Sequence, residues 1–128
     1  MRSIVRALTV AIALLAVQPA ATQPAMTAGD LEQLCAGSDH VSRNACRIYI
    51  LGVTQGITLG FELADKKRAD RRVCIPAGIS AEALEQTLKR PLAGLTTAAE
   101  RERDAAGFIG AVLASAFPCT KPPVQAPR

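Results

Sequence analysis

Four cysteines are the residues of this sequence with the most restrictive chemistry. Cys35, Cys46, Cys74 and Cys119 could form two disulfides, hold a zinc ion or supply a nucleophile. Their spacings of 11, 28 and 45 residues contain no C-x-x-C pair, and His40 is the only histidine, so the spacing disfavours zinc. An even number of cysteines in an exported chain is instead typical of two disulfides.

Catalytic groups other than cysteine are sparse. His40 lies in a polar stretch, residues 37–40, with no partner nearby that would complete a triad, and an exposed loop position is the simpler interpretation. The carboxylates are spread over predicted helix surfaces, where solvated charge is expected. We therefore expect no enzymatic activity, no metal and no cofactor.

The N-terminus indicates export. Arg2 and Arg6 flank an apolar run over residues 7–17, and an alanine- and proline-rich stretch follows to residue 25, which predicts a cleaved secretory signal over residues 1–25. Eleven helical residues span only about 16 Å, too short for a membrane anchor. We expect a periplasmic protein without a membrane span after cleavage. Residues 26–119 would be the folded domain, and residues 120–128 a disordered proline-rich tail.

Charge and composition narrow the partners. The chain has 128 residues, enough for one domain, and a net charge of +4. Removing Arg2 and Arg6 leaves 13 basic against 11 acidic residues, a net charge of +2. With no tryptophan, one tyrosine and three phenylalanines, the chain lacks stacking platforms for bases. We expect no nucleic acid partner.

The sequence segments that carry the cysteines have the capping residues and apolar periodicity of helices. We therefore expect an all-α fold, a small bundle of about four helices braced by two disulfides. The proposed boundaries come from capping residues, from glycine and proline stops and from apolar periodicity. The predicted helices cover residues 28–36 (ended by Gly37), from Ser42 or Asn44 to about Ala69, from Ser80 to Arg90 (stopped by Pro91), and from the capping box Thr97–Glu100 to Phe117.

The stretch GVTQGITLG within the second helix places Gly52, Gly56 and Gly60 four residues apart. Alternation of apolar residues would also fit a strand, but a run of about 20 residues without a turn signal favours a helix. Charged residues interrupt the run within the length that a membrane dimer face needs. The stripe therefore predicts close helix packing, either against another helix of the same chain or against a second copy in a homodimer.

Helix direction suggests how the cysteines pair. If short loops make neighbouring helices antiparallel, the end of the second helix, the start of the third and the end of the fourth share one pole. Cys74 and Cys119 lie at that pole, whereas Cys35 and Cys46 flank the turn at the other. We therefore predict disulfides between Cys35 and Cys46 and between Cys74 and Cys119.

The order of several short motifs resembles the Rap/Tai family of type VI secretion immunity proteins. The resemblance covers residues 29–119. It is carried by Leu34-Cys35, Cys46 with Tyr49, Gly52 and Gly56, Cys74-Ile75-Pro76, the helix end at Pro91, and Phe117-Pro118-Cys119.

This resemblance implies a small helical periplasmic protein, often dimeric, that binds and blocks an injected peptidoglycan amidase by filling its cleft with a loop and a helix. For the contact surface we expect the connection from Pro91 to Thr96, and second the basic run from Lys66 to Arg72, although either could be a plain connector. The residues concerned are Pro91, Leu92, Leu95, Thr96, Lys66, Lys67, Arg68, Arg71 and Arg72. The alternative function is a periplasmic structural or stress protein, resembling an acid-stress chaperone, without a toxin partner.

Overall fold

The computed structural model describes residues 25–65, 67 and 71–119. Nearly all of the predicted signal segment, the predicted tail, Lys66 and Arg68 therefore lie outside the described residues. The described part is helical, which confirms the all-α prediction. Its helices are α1 (Ala28–Ala36), α2 (His40–Leu63), α3 (Ala81–Ala93), α4 (Ala98–Arg101) and α5 (Ala105–Ala116).

Local sequence signals explain where most of the helices begin. The Thr27 hydroxyl accepts from the Asp30 amide while the Asp30 carboxylate accepts from the Thr27 amide, a reciprocal cap for α1. Ser80 caps α3 in the predicted place. For α2 the cap is Asp39 rather than Ser42 or Asn44, because the Asp39 carboxylate accepts from the Ser42 amide at 2.9 Å.

The core lies between α1, one face of α2, α3 and α5. Each helix contributes a stripe of apolar side chains at helical spacing, which is how an amphipathic helix buries surface in a small bundle. The most deeply buried of them are Leu31, Cys46, Ile50, Leu84, Leu88, Ile109 and Leu113.

Both disulfides pair as predicted. Cys35 joins Cys46 across the α1–α2 turn, and Cys74 joins Cys119 with a Cα–Cα distance of 5.0 Å. A backbone hydrogen bond of 2.8 Å from the Cys74 amide to the Phe117 carbonyl reinforces the second link. The segment after α2 is thereby fixed to the end of α5.

Helix α3 does not stop before Pro91, and that prediction was wrong. Leu84, Leu88 and Leu92 form a continuous buried stripe, and Leu95 just beyond the helix is also buried. A proline inside a helix costs about 3 kcal/mol. Burying Leu92 and Leu95 contributes about 2 kcal/mol each, enough to offset that cost. The helix therefore continues through Pro91 to Ala93.

The predicted fourth helix is two helices. The capping box of Thr97 and Glu100 opens α4 as expected, but the chain breaks after Arg101 and restarts at Asp104, whose carboxylate caps α5 through the Gly107 amide at 2.7 Å. The cause is long-range: residues 26–28, at the start of α1, pair with this break, since the Ala105 amide donates to the Met26 carbonyl and the Ala28 amide donates to the Arg103 carbonyl. Those hydrogen bonds replace helical ones.

Helix α2 ends at Leu63, short of the predicted Ala69. Asp65 has φ 49°, a left-handed conformation that aspartate tolerates better than most residues and that cannot continue an α-helix. The described basic residues that follow, Lys67, Arg71 and Arg72, are therefore in the connection to α3 and not on a helix.

Candidate partner-binding surfaces

The connection after α3 is a braced surface and not a free loop. Leu92 and Leu95 are buried in the core, so neither can contact a partner directly. Pro91 is half-buried, and Thr96 is exposed while its amide donates to the Glu100 carboxylate at 3.0 Å. What the connection presents to solvent is the strip Ala93, Gly94 and Thr96. The two leucines hold this strip in place.

The basic run is partly anchored as well. Arg71 donates from Nη2 to Glu62 Oε1 at 2.7 Å and lies 5.6 Å from the centre of the Phe61 ring, which ties this segment to the end of α2. Lys67 and Arg72 are exposed. Arg71 therefore has a structural role, while Lys67 and Arg72 are the described cations of the run that a partner could reach.

Helix α2 has an outward face that is apolar and uncovered within the described chain. A Cβ atom built on Gly52, Gly56 or Gly60 would meet no other atom within 4 Å. The prediction that these glycines pack against another helix of the same chain is therefore wrong, while packing against a second copy stays a prediction. The outward face of α2 consists of Val41, Ile48, Gly52, Gly56, Leu59, Gly60 and Leu63, and its four large side chains are 57–80% exposed.

The glycine prediction failed because it places the glycines and the neighbouring large apolar residues of α2 on the same face of the helix. Ile57 lies 3.8 Å from the position of a Cβ on Gly110 of α5, and Tyr49 and Val53 also pack on the core. These side chains turn the neighbouring glycines toward solvent.

A groove of about 600 Å³ runs beside the outward face, between the second half of α2 and the segment after Cys74. Leu51 and Leu59 of α2 form one wall, and Ile75 and Ile79 the other. Leu59 belongs to both the groove and the outward face, so the two apolar surfaces are continuous.

A second cleft, of about 450 Å³, lies between the end of α1, the start of α2 and the end of α3; we call it the cationic cleft. Its acidic side chains are neutralised: Glu85 accepts from Arg47 Nε at 2.5 Å, and Glu32 forms an ion pair with Arg101. Its other residues are Cys35, Ala36, Arg43, Gln86, Lys89, Leu92 and Ala93.

Three capping carboxylates are the clearest electrostatic features. The hydrogen bonds donated by the Thr27 and Thr97 backbone and side chains hold the pKa values of Asp30 and Glu100 below their usual range. The hydrogen bonds from Ser42 lower the pKa of Asp39 in the same way. In contrast, burial and the nearby charge of Asp104 raise the pKa of Tyr49.

The described residues offer little for covalent chemistry. All four cysteines are in disulfides, so no thiolate is available as a nucleophile or a metal ligand. Over the same residues no group of three His, Cys, Asp or Glu side chains is arranged to hold a metal ion. None of the described helices is both long enough and apolar enough to cross a bilayer.

The described residues form a helical, disulfide-braced structure with exposed apolar and cationic surfaces. The sequence profile of the Rap1a immunity proteins matches residues 27–119, and the chain belongs to that family. Comparisons with the curated proteins and with the solved structures give no significant match. The matched segment begins at Thr27, the cap of α1, and ends at Cys119 of the second disulfide.

Sequence reasoning missed two groups of surface residues. Val41, Ile48 and Leu59 carried a signal, since they recur at helical spacing on a face of α2 that the core stripe does not use. Arg43 and Lys89 carried none, because only the packing of α3 on α2 brings them to the same cleft.

Proposed function

We propose that this chain is a periplasmic immunity protein that binds a type VI secreted peptidoglycan amidase and blocks its active site, without catalysis of its own. The observation that carries the proposal is the family match over residues 27–119, which implies a protein toxin as the partner. The export signal predicted over residues 1–25 supports the periplasm, where peptidoglycan is the substrate to be protected.

For the occluding element we propose the connection after α3. Its exposed strip of Ala93, Gly94 and Thr96 is held by Leu92 and Leu95 below and by Glu100 beside it. A contact surface that is rigid before binding loses less conformational entropy in the complex. Lys67 and Arg72 are the second candidate surface, as cations at the other connection.

An amidase gene is expected beside the gene of this chain, and the experiment that tests the function is inhibition of that amidase. The purified protein should form a stoichiometric complex with that amidase and abolish its hydrolysis of peptidoglycan. Gly94→Trp, which adds bulk to the exposed strip, should weaken inhibition. The control is Ala77→Trp, which adds the same side chain at an exposed position elsewhere. Gly78 is not used as the control, because its φ of 76° means that a side chain there would strain the loop. Unimpaired hydrolysis with excess protein would contradict the proposal.

We also propose that the outward face of α2 is covered by a second copy of the chain. An exposed row of large apolar side chains is unusual for a monomer surface, and the glycines leave room for a second helix backbone to approach closely. Sedimentation equilibrium should show a dimer for the native protein and a monomer for Ile48→Glu. A native protein that stays monomeric at high concentration would contradict this arrangement.

A further inference from the structure

The cationic cleft contains two basic side chains that form no ion pair with an acidic side chain of the described residues. The nearby carboxylates pair with other cations: Glu82 and Glu85 with Arg47, and Glu32 with Arg101. Arg43 and Lys89 also line the cleft, and neither has an ion-pair partner among the described residues. Both side chains are exposed, so their charges face solvent, and the basic side chains of the cleft and its ion pairs outnumber the acidic ones by one.

The charge continues beyond the cleft. A smaller recess of about 160 Å³ adjoins it and is lined by His40, Arg43, Asn44 and Arg47, all of which carry hydrogen-bond donors. Arg43 and Arg47 belong to both cavities.

The surroundings of these cations determine what kind of anion fits. Glu82 and Glu85 both form ion pairs with Arg47, at 3.0 and 2.5 Å, and so hold its guanidinium in position. The guanidinium of Arg43 forms no ion pair among the described residues. The floor includes Cys35 of the α1–α2 disulfide and the buried Leu92, which gives the cleft apolar surface between its charges. This combination suits a peptide segment with carboxylate and aliphatic side chains better than a compact inorganic anion.

The position of the cleft connects it with the occluding strip. Ala93 lines the cleft and is also the first residue of the exposed strip after α3. A partner seated on the strip would therefore extend naturally over Arg43 and Lys89.

We infer that the cationic cleft binds an acidic segment of the toxin, with Arg43 and Lys89 pairing with its carboxylates. The inference rests on the proposed function, because it names the chemistry of the toxin surface that lies beside the occluded site. Such charge pairs speed association and fix orientation, and their contribution decreases as salt screens them.

The cleft can be tested without the toxin. A hexaglutamate peptide titrated into the ¹⁵N-labelled protein should shift the amide signals around Arg43, Arg47 and Lys89, and hexaglutamine should not. The double variant Arg43→Glu/Lys89→Glu should reduce peptide affinity about 10-fold or more. Arg90→Glu/Arg103→Glu makes the same change in net charge at exposed positions outside the cleft, and it should change affinity less than about 2-fold.

Two results would overturn the inference. One is a peptide response centred away from the cleft or equally weakened by the control variant. The other is binding of phosphatidylglycerol vesicles through Arg43 and Lys89 with no response to hexaglutamate, which would indicate a lipid surface instead of a protein. Melting curves of both double variants establish that each is folded.

The same variants separate this inference from the proposed function. If native protein inhibits the amidase and Arg43→Glu/Lys89→Glu inhibits it equally well, the function stands and the cleft is not a toxin contact. If the native protein does not bind the amidase while the cleft still binds hexaglutamate, the proposed function fails and the assignment of the acidic segment to a toxin fails with it.

Discussion

Glu100 shows how much depends on single polar side chains in a domain of this size. Its carboxylate accepts hydrogen bonds from the backbone of Thr96 and Thr97, at 3.0 and 2.9 Å, and so organises the end of the exposed strip. The S/T-x-x-E spacing predicts this cap from sequence alone, since all of its partners lie within four residues. Asp104 has no comparable spacing signal, and it lies at a break in the chain that pairs with Thr27, which is distant in sequence.

The lowered pKa of Glu100 gives a prediction about acid stability. A carboxyl group whose pKa is lower in the folded state stabilises the fold above its ordinary pKa of 4.5, and this contribution disappears as pH falls through the lowered folded value. Glu100→Gln should therefore lower the melting temperature at pH 7 and have almost no effect at pH 2. Thermal denaturation from pH 7 to pH 2 measures this. A difference that persists unchanged at pH 2 would contradict it.

Leu92 is a support for the proposed contact strip and not a contact. Leu92→Ala removes a side chain that is only 4% exposed, and we expect it to reduce the free energy of unfolding by about 2–5 kcal/mol. Thr96→Ala, at an exposed position four residues on, should cost far less. Urea denaturation of both variants gives the comparison. Equal stability for Leu92→Ala and the native protein would show that this part of the core is misplaced.

At the scale of elements, periodicity identified the helices and neighbouring elements determined their limits. The apolar stripe of α3 was visible in the sequence, but a local rule about proline suggested a stop that the burial of Leu92 and Leu95 overrides. For α2, the apolar periodicity predicts the helix correctly, but the prediction that its glycines lie on the packed face is wrong. Which of two apolar stripes is buried depends on where α5 packs, and that is not a property of α2 itself.

Gly56 has no neighbour within 4 Å of the position of a Cβ atom, so a larger side chain there should not destabilise the monomer, as it would if the glycine were packed against another helix. Gly56→Ala meets no neighbour, so the better helix propensity of alanine should stabilise the monomer by about 1 kcal/mol. Gly29→Ala is the contrasting variant, because its Cβ would lie 3.1 Å from that of Arg101 and should destabilise the protein. Chemical denaturation at low protein concentration measures both. Destabilisation by Gly56→Ala under these conditions would mean that the glycine is packed within the monomer.

The two disulfides close loops of different length, with sequence separations of 11 and 45 residues. In the chain-entropy model they contribute about 3 and 4 kcal/mol respectively. Replacing Cys74 and Cys119 by serine should therefore destabilise the domain more than replacing Cys35 and Cys46. Denaturation of both double variants tests the order, and a reversed order would indicate that the α1–α2 turn has a larger role than its loop length suggests.

At the scale of the whole molecule, the scaffold was more predictable than the surface. The disulfide pairing follows from alternating helix direction, and the core follows from amphipathic periodicity. The predicted contact surfaces are polar connections between helices, yet Leu92 and Leu95 within them are buried, and Arg71 forms an ion pair with Glu62 of α2. A surface assembled from three helices, such as the cationic cleft, appears only when the helices are packed.

The central claim is that this chain is exported and protects a cell from an amidase acting on its peptidoglycan. The most direct measurement is lysis of cells that direct the cognate amidase, which we expect to be encoded beside this chain, to the periplasm, with and without the full chain. We predict that the full chain prevents lysis, and that a chain lacking residues 2–25, and so retained in the cytoplasm, does not. Lysis at the same rate in cells that contain the exported, disulfide-bonded protein would contradict the claim.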